Sequence, residues 1–257
     1  MSLQRRMLAL VALALILATC LPVAASAAPR ARMSATFRPE RLGKATTISF
    51  GFQIGTPGQA PTALRGVSIA YPRNLGFATS GLGVAPCQPA VLETQGPPAC
   101  PPNSLMGSGS AQIELQIGPI LVQEKVGLTL LAGPSADGYL HLLLYASGAY
   151  PVEAIVVANA VLLPGRLSIT VPPIPSLPEA PYVSLAQLRM TLGGNLTYYE
   201  TVRGQSVPYH PAGVGLPLTC PRGGFSFAAT FAFLDGSHSR ADTAVPCPPA
   251  RPRARHR

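Results

Sequence analysis

From Lys44 to Ile54 apolar and polar positions alternate without a break. Thr46, Ile48, Phe50, Phe52 and Ile54 fall on one side, and Thr47, Ser49, Gly51 and Gln53 on the other. Period two is the mark of a strand with one buried face. The same alternation recurs at Val67, Ile69 and Tyr71, at Ile113, Leu115 and Ile117, and at Leu167, Ile169 and Val171. Between Ile120 and Leu131, Ile120, Val122, Val126, Leu128 and Leu130 share a face opposite Gln123, Lys125 and Thr129, which predicts one long strand. Tyr139 to Ala146 and Ala154 to Leu163 are apolar on both faces. These suit strands within a packed sandwich, with short buried helix pieces as the alternative. From Val183 to Leu192 the apolar phase slips: Val183 and Leu185 precede Leu188, Met190 and Leu192. One extra residue produces such a slip, so a bulge is expected near Ala186.

The strongest hairpin lies near the C-terminal end. Phe225, Phe227, Phe231 and Phe233 line one face with Ala229 between them, Asp235 and Gly236 supply the turn, and His238 to Val245 returns. Turn signals and strand spacing together predict an all-β fold, an antiparallel β-sandwich of roughly 12 to 14 strands with two disulfides. Three stretches are too rich in proline to pair in a sheet: residues 86–102, 172–181 and 246–257. The middle one reads as an extended crossover between sheets; its Pro-x-x-Pro spacings also suit docking in an aromatic groove.

The first 27 residues carry a different pattern. Arg5 and Arg6 precede an apolar run from Met7 to Leu21, then Pro22 and a stretch of small residues ending in Ala25, Ser26 and Ala27. The run is shorter than the roughly 20 residues needed to span a bilayer, and small residues suit a signal peptidase. Residues 1–27 are therefore read as a signal peptide with the mature chain starting at Ala28, residues 28–247 as one all-β domain, and residues 248–257 as a disordered Pro/Arg tail. The alternatives are an uncleaved anchor and lipidation of Cys20, whose preceding Leu17, Ala18 and Thr19 resemble a lipobox except at Thr19.

Charge and cysteines narrow the picture. The net charge of +9 resides in the ends of the chain: residues 33–247 hold eleven basic and ten acidic side chains, a net of +1. A basic face for nucleic acid is thereby excluded. The arginines of the tail would meet anionic envelope polymers. Arginine outnumbers lysine, which is confined to Lys44 and Lys125, and with the many Pro and Gly residues this points to a GC-rich bacterial genome. Four cysteines follow the leader: Cys87, Cys100, Cys220 and Cys247. An even count in an exported chain implies two disulfides. Of the three connectivities, Cys87–Cys100 and Cys220–Cys247 are favoured, because one closes a Pro-rich loop and the other brackets the Phe-rich hairpin. Loss of the second is expected to cost the fold more. A four-cysteine zinc site would want a Cys-x-x-Cys pair, which the chain lacks.

Candidate chemistry is sparse. Gly107, Ser108, Gly109 and Ser110 lead into a strand and not a helix, so these glycines are read as a turn or bulge and not a nucleophile elbow. His141, His210, His238 and His256 are scattered and suggest no metal pair or catalytic base. Glu114 and Glu124 could face each other as glycosidase carboxylates do, but both are read as residues on polar, solvated strand faces. Asn195, Leu196 and Thr197 form a glycosylation sequon, read as a plain turn. No cofactor is assigned.

Asn74-Leu75-Gly76, Cys87 and the run Ala99 to Gly109, with Thr197 to Glu200 and Cys220 to Phe225, resemble a group of exported proteins from GC-rich soil actinobacteria. The resemblance implies export and an all-β fold, and carries no activity or site residue. The expectation is an extracytoplasmic, noncatalytic β-sandwich that binds, adheres or acts structurally at the cell envelope, with an unknown envelope or extracellular partner. It would keep no integral membrane segment after signal cleavage. The alternative is a carrier of a lipid or other hydrophobic ligand, for which a cavity above about 300 Å³ would speak. Three or more polar side chains converging in one pocket would point to an enzyme instead.

Overall fold

A computed structural model describes residues 29–248, apart from 39, 57, 79–84, 136, 150–153, 176–180, 194–197 and 210–212. The signal peptide, Cys20, the Ala28 start, the Asn195 sequon, His210 and the tail with His256 lie outside the described residues.

Fifteen strands occur among the described residues, slightly more than expected. The longer ones are β1 (Ala31–Arg38), β2 (Ala45–Ile54), β3 (Leu64–Ala70), β5 (Leu105–Ile117), β6 (Ile120–Ala132), β7 (Leu140–Gly148), β8 (Ala154–Leu163), β9 (Arg166–Thr170), β10 (Ser184–Leu192), β14 (Phe225–Phe233) and β15 (His238–Val245). Shorter strands are β4 (Gly76–Ala78) and β13 (Gly213–Gly215), which extend the sheet beside β2, and the separate hairpin of β11 (Tyr198–Val202) and β12 (Gln205–Tyr209).

The ladders do not divide into the two sheets of a sandwich. They run continuously and antiparallel in the order β15-β14-β3-β9-β8-β7-β6-β5-β10-β2, with β1 on the other edge of β2. β1 then lies along β15, so the sheet curls round until its ends meet. The result is a nearly closed barrel; no ladder joins β1 to β15 among the described residues. The two edge strands thus lie against each other and do not face solvent as the free edges of an open sheet would.

Local sequence accounts for the joints. At the β5–β6 hairpin Ile117 pairs with Ile120 across a two-residue turn. Gly118 has φ +55°, while the ring of Pro119 holds that residue at negative φ, the combination of a type II′ turn. The bulge expected in β10 is present: pairing with β5 shifts register between Leu185 and Gln187. Gly107 and Gly109 form no free turn but lie within β5. A Cβ at Gly109 would come within 2.1 Å of the Arg189 carbonyl of β10, so glycine is what allows that close approach.

Inward positions of β14 carry Phe225, Phe227, Phe231 and Phe233, all buried. Three of their rings meet rings of β1 and β2 edge-on. Phe37 of β1 is 5.3 Å from Phe225, Phe50 of β2 is 5.5 Å from Phe227, and Phe52 is 5.3 Å from Phe231. Each such pair adds about 0.5–1.5 kcal/mol beyond its area burial. This side of the barrel is therefore filled.

The two-faced apolarity of β7 and β8 also finds its reason. Leu142, Leu144 and Ala146 of β7 face inward, while Leu143 and Tyr145 lie on the outer face under a second, smaller core. That core contains Leu92 of the short helix α1 (Pro89–Gln95), Cys87, Cys100 and Leu131. The Pro-rich segment 86–102 is thus not a bare loop: it folds into α1 and a 3₁₀ turn and packs on the barrel wall.

Both favoured disulfides are present, Cys87–Cys100 and Cys220–Cys247, and the second joins the open end of the β14–β15 hairpin. Two disulfides fit an oxidising, extracytoplasmic compartment. Among the described residues no helix is long and apolar enough to cross a membrane.

Candidate functional site

The phenylalanine-packed side leaves the other half of the barrel open. Between β2, β3 and the wall formed by β5 to β10 lies a cavity of about 210 Å³. Leu128, Leu144, Val156, Ala158, Ile169 and Leu188 are typical of its lining. Small residues make this space: Ala111, Ala146, Ala158 and Ala160 stand where larger side chains would close it.

The sequence order explains where the cavity opens. β9 ends and β10 begins at the same end of the barrel, with four strands between them in the sheet. The described part of the connecting chain, Val171 to Pro175, borders the cavity, and Val183 N–H donates to the Ile174 carbonyl at 3.0 Å. The described part of the proline-rich crossover thus lies at the mouth of one barrel and does not run between two sheets. Ile117, Ile120, Ile155 and Tyr182, at the strand ends around this mouth, are exposed.

Both glutamates read as solvated are buried, at 5% exposure for Glu114 and 6% for Glu124. They also border the cavity, but they do not form a pair. Cross-strand partners share a face and chain neighbours alternate. Glu124 is opposite Ile113, and Glu114 is opposite Gln123 and Ser184, so the two carboxylates belong to opposite faces of the β5–β6 hairpin. Glu114 Oε1 accepts from Gln123 Nε2 at 2.7 Å and Gln112 Nε2 at 3.3 Å. Ser184 is likewise occupied, its hydroxyl donating to the Pro61 carbonyl.

Glu124 is the exception. It shares the inward face with Val122 and Val126, and its carboxylate lies over Gly148 of β7. A Cβ at Gly148 would fall 2.1 Å from Glu124 Oε1. That oxygen is buried without a hydrogen-bond partner. Sequence reasoning missed it, although the signal was there: Glu124 has the same parity as Ile120, Val122, Val126 and Leu128.

The remaining candidates stay apart from the cavity. His141 Nε2 lies 2.9 Å from Asp137 Oδ1 on the outside of the barrel. Tyr139 N–H donates to the same carboxylate oxygen at 3.0 Å. That backbone bond, with His141 second, holds the Asp137 carboxyl below its ordinary pKa. Ser135 is near, but its hydroxyl donates to the Tyr139 carbonyl, so no serine–histidine bond completes a triad. His238 begins β15, next to the hairpin turn. Among the described residues no cluster of His, Cys, Asp or Glu could hold a metal.

The fold and cavity define an antiparallel, disulfide-stapled β-barrel with an apolar interior site. The chain matches no family model, no curated protein and no solved structure.

Proposed function

We propose that this is an exported, noncatalytic binding protein of the cell envelope or extracellular space whose barrel takes up a small apolar molecule or group. The observation that carries this reading is the cavity itself. Its volume is about 210 Å³, and of its polar bordering groups two are already bonded to protein partners. That leaves no convergent set of polar side chains for catalysis.

Size limits the cargo. An apolar cavity of about 150 Å³ stays dry and binds benzene, whereas sites for drug-sized ligands run from about 300 to 1,000 Å³. The present cavity falls below the mark expected of a lipid carrier. It suits a substituted ring or a short alkyl chain, and a whole lipid is not the favoured occupant. Export is supported by the leader at residues 1–27 and by the two disulfides.

Calorimetric titration with toluene and with 1-octanol tests the binding role. Saturable one-to-one binding with a negative heat-capacity change is expected, since apolar surface leaves water. Ligand at about 100 times Kd should stabilise the fold by about 2.7 kcal/mol. The absence of both binding heat and a Tm rise with either compound would remove the reading.

A further inference from the structure

We propose that the ligand of this cavity carries a protonated amine, and that Glu124 receives it. The inference rests on the apolar-binding reading above and adds the chemistry of the ligand's head. Glu124 projects from the inward face of β6 with Ile113 opposite it and Val122 and Val126 beside it. On β7 the position under its carboxylate is Gly148, so nothing there competes for the space. The residue is more than nine-tenths buried, yet Oε1 has no donor. A buried acceptor left unmet is costly in a fold otherwise satisfied, and a ligand that supplies the donor removes the cost.

The sign of the head follows from the lining. Lys, Arg and His are absent from the cavity among the described residues, and its two titratable groups, Glu114 and Glu124, are both acidic. An anionic head would meet like charge in a low-dielectric site, whereas an ammonium would gain a charge-assisted hydrogen bond. The tail would then lie along Leu128, Leu144 and Ala158, deeper in the same cavity. Glu114 is less suited to this part: its Oε1 already accepts from Gln112 and Gln123, and it belongs to the other face of the β5–β6 hairpin.

Three probes of equal chain length separate the possibilities: n-octylamine, 1-octanol and octanoate, each titrated into the mature protein at pH 7. The amine is an ammonium there, as a lysine side chain is. It should bind at least about tenfold tighter than octanoate, the scale of one hydrogen bond to a charged group, with the alcohol between them. Glu124→Gln keeps the side-chain shape and should bring octylamine to within about threefold of octanol. Gly148→Ala keeps the charge but places a methyl where the carboxylate lies, and should reduce the amine preference as well. Circular dichroism on both variants checks the fold, and Gly148→Ala serves if Glu124→Gln fails to fold. Equal affinity for the three probes, or an amine preference that survives both substitutions, would overturn the assignment of the head while leaving the apolar site intact. Failure of all three to bind would overturn the binding reading itself.

Discussion

Glu114 and Glu124 show how much one register step decides. Two glutamine amides surround Glu114, while Glu124 lies inward with an oxygen unmet. Such a group costs about 1–3 kcal/mol in the empty protein. Glu124→Leu should therefore raise the denaturant midpoint or leave it unchanged; a loss above about 2 kcal/mol would mean that the carboxylate has a partner in solution. Asp137 is the opposite case, an exposed carboxylate bonded by the Tyr139 amide and by His141. Its folded pKa is depressed, so its contribution is present above the unfolded carboxylate range and is lost as pH falls through the lower folded value. An NMR titration should place its midpoint below 3.8, and a midpoint at or above 3.8 would contradict the geometry. Neither environment was read from composition. A charged residue in an alternating strand is normally a surface residue, and Glu124 is an exception visible only when parity is given precedence over residue type.

Among the elements, the β14–β15 hairpin and the β10 bulge were legible because each is set by local alternation, whereas the two-faced runs of β7 and β8 left strand and buried helix both open. β1 was not legible. Ala31–Arg38 carries too little unbroken apolar alternation to stand out as a strand, yet it pairs with β2 and lies along β15. Its key residue is Phe37, 3% exposed and edge-on to Phe225. Phe37→Ala should cost about 3–5 kcal/mol in a urea melt; a loss under 1 kcal/mol would mean that β1 is not part of the closed sheet. The two disulfides hold different things. Cys87 and Cys100 are buried in the satellite core, whereas Cys220–Cys247 ties the strands that carry the phenylalanines. Replacing Cys87 and Cys100 by serine should open residues 85–104 to proteolysis while the barrel persists. Replacing Cys220 and Cys247 should lower the stability of the whole barrel, by about 2–5 kcal/mol. The reverse order of effects would show that the α1 segment, not the hairpin, supports the sheet.

For the whole molecule, the all-β class and the disulfide pairing could be read in advance, but the closure could not. Alternation says that one face of a strand is buried; it does not say whether that face meets a second sheet or the far wall of its own. The β9–β10 crossover illustrates this, since a proline-rich connector looks the same in sequence whether it links two sheets or spans one barrel mouth. A cavity is harder still to foresee, being set by where Ala111, Ala146, Ala158 and Ala160 fall relative to one another across the wall. The binding role requires that space to be apolar and enterable in solution. A crystal of the mature protein under xenon pressure tests it most directly, because xenon enters dry apolar cavities and needs no polar contact. Xenon density among Leu128, Leu144, Ala158 and Leu188 is the expected result. An interior closed by side chains, with xenon only at the surface, would contradict it.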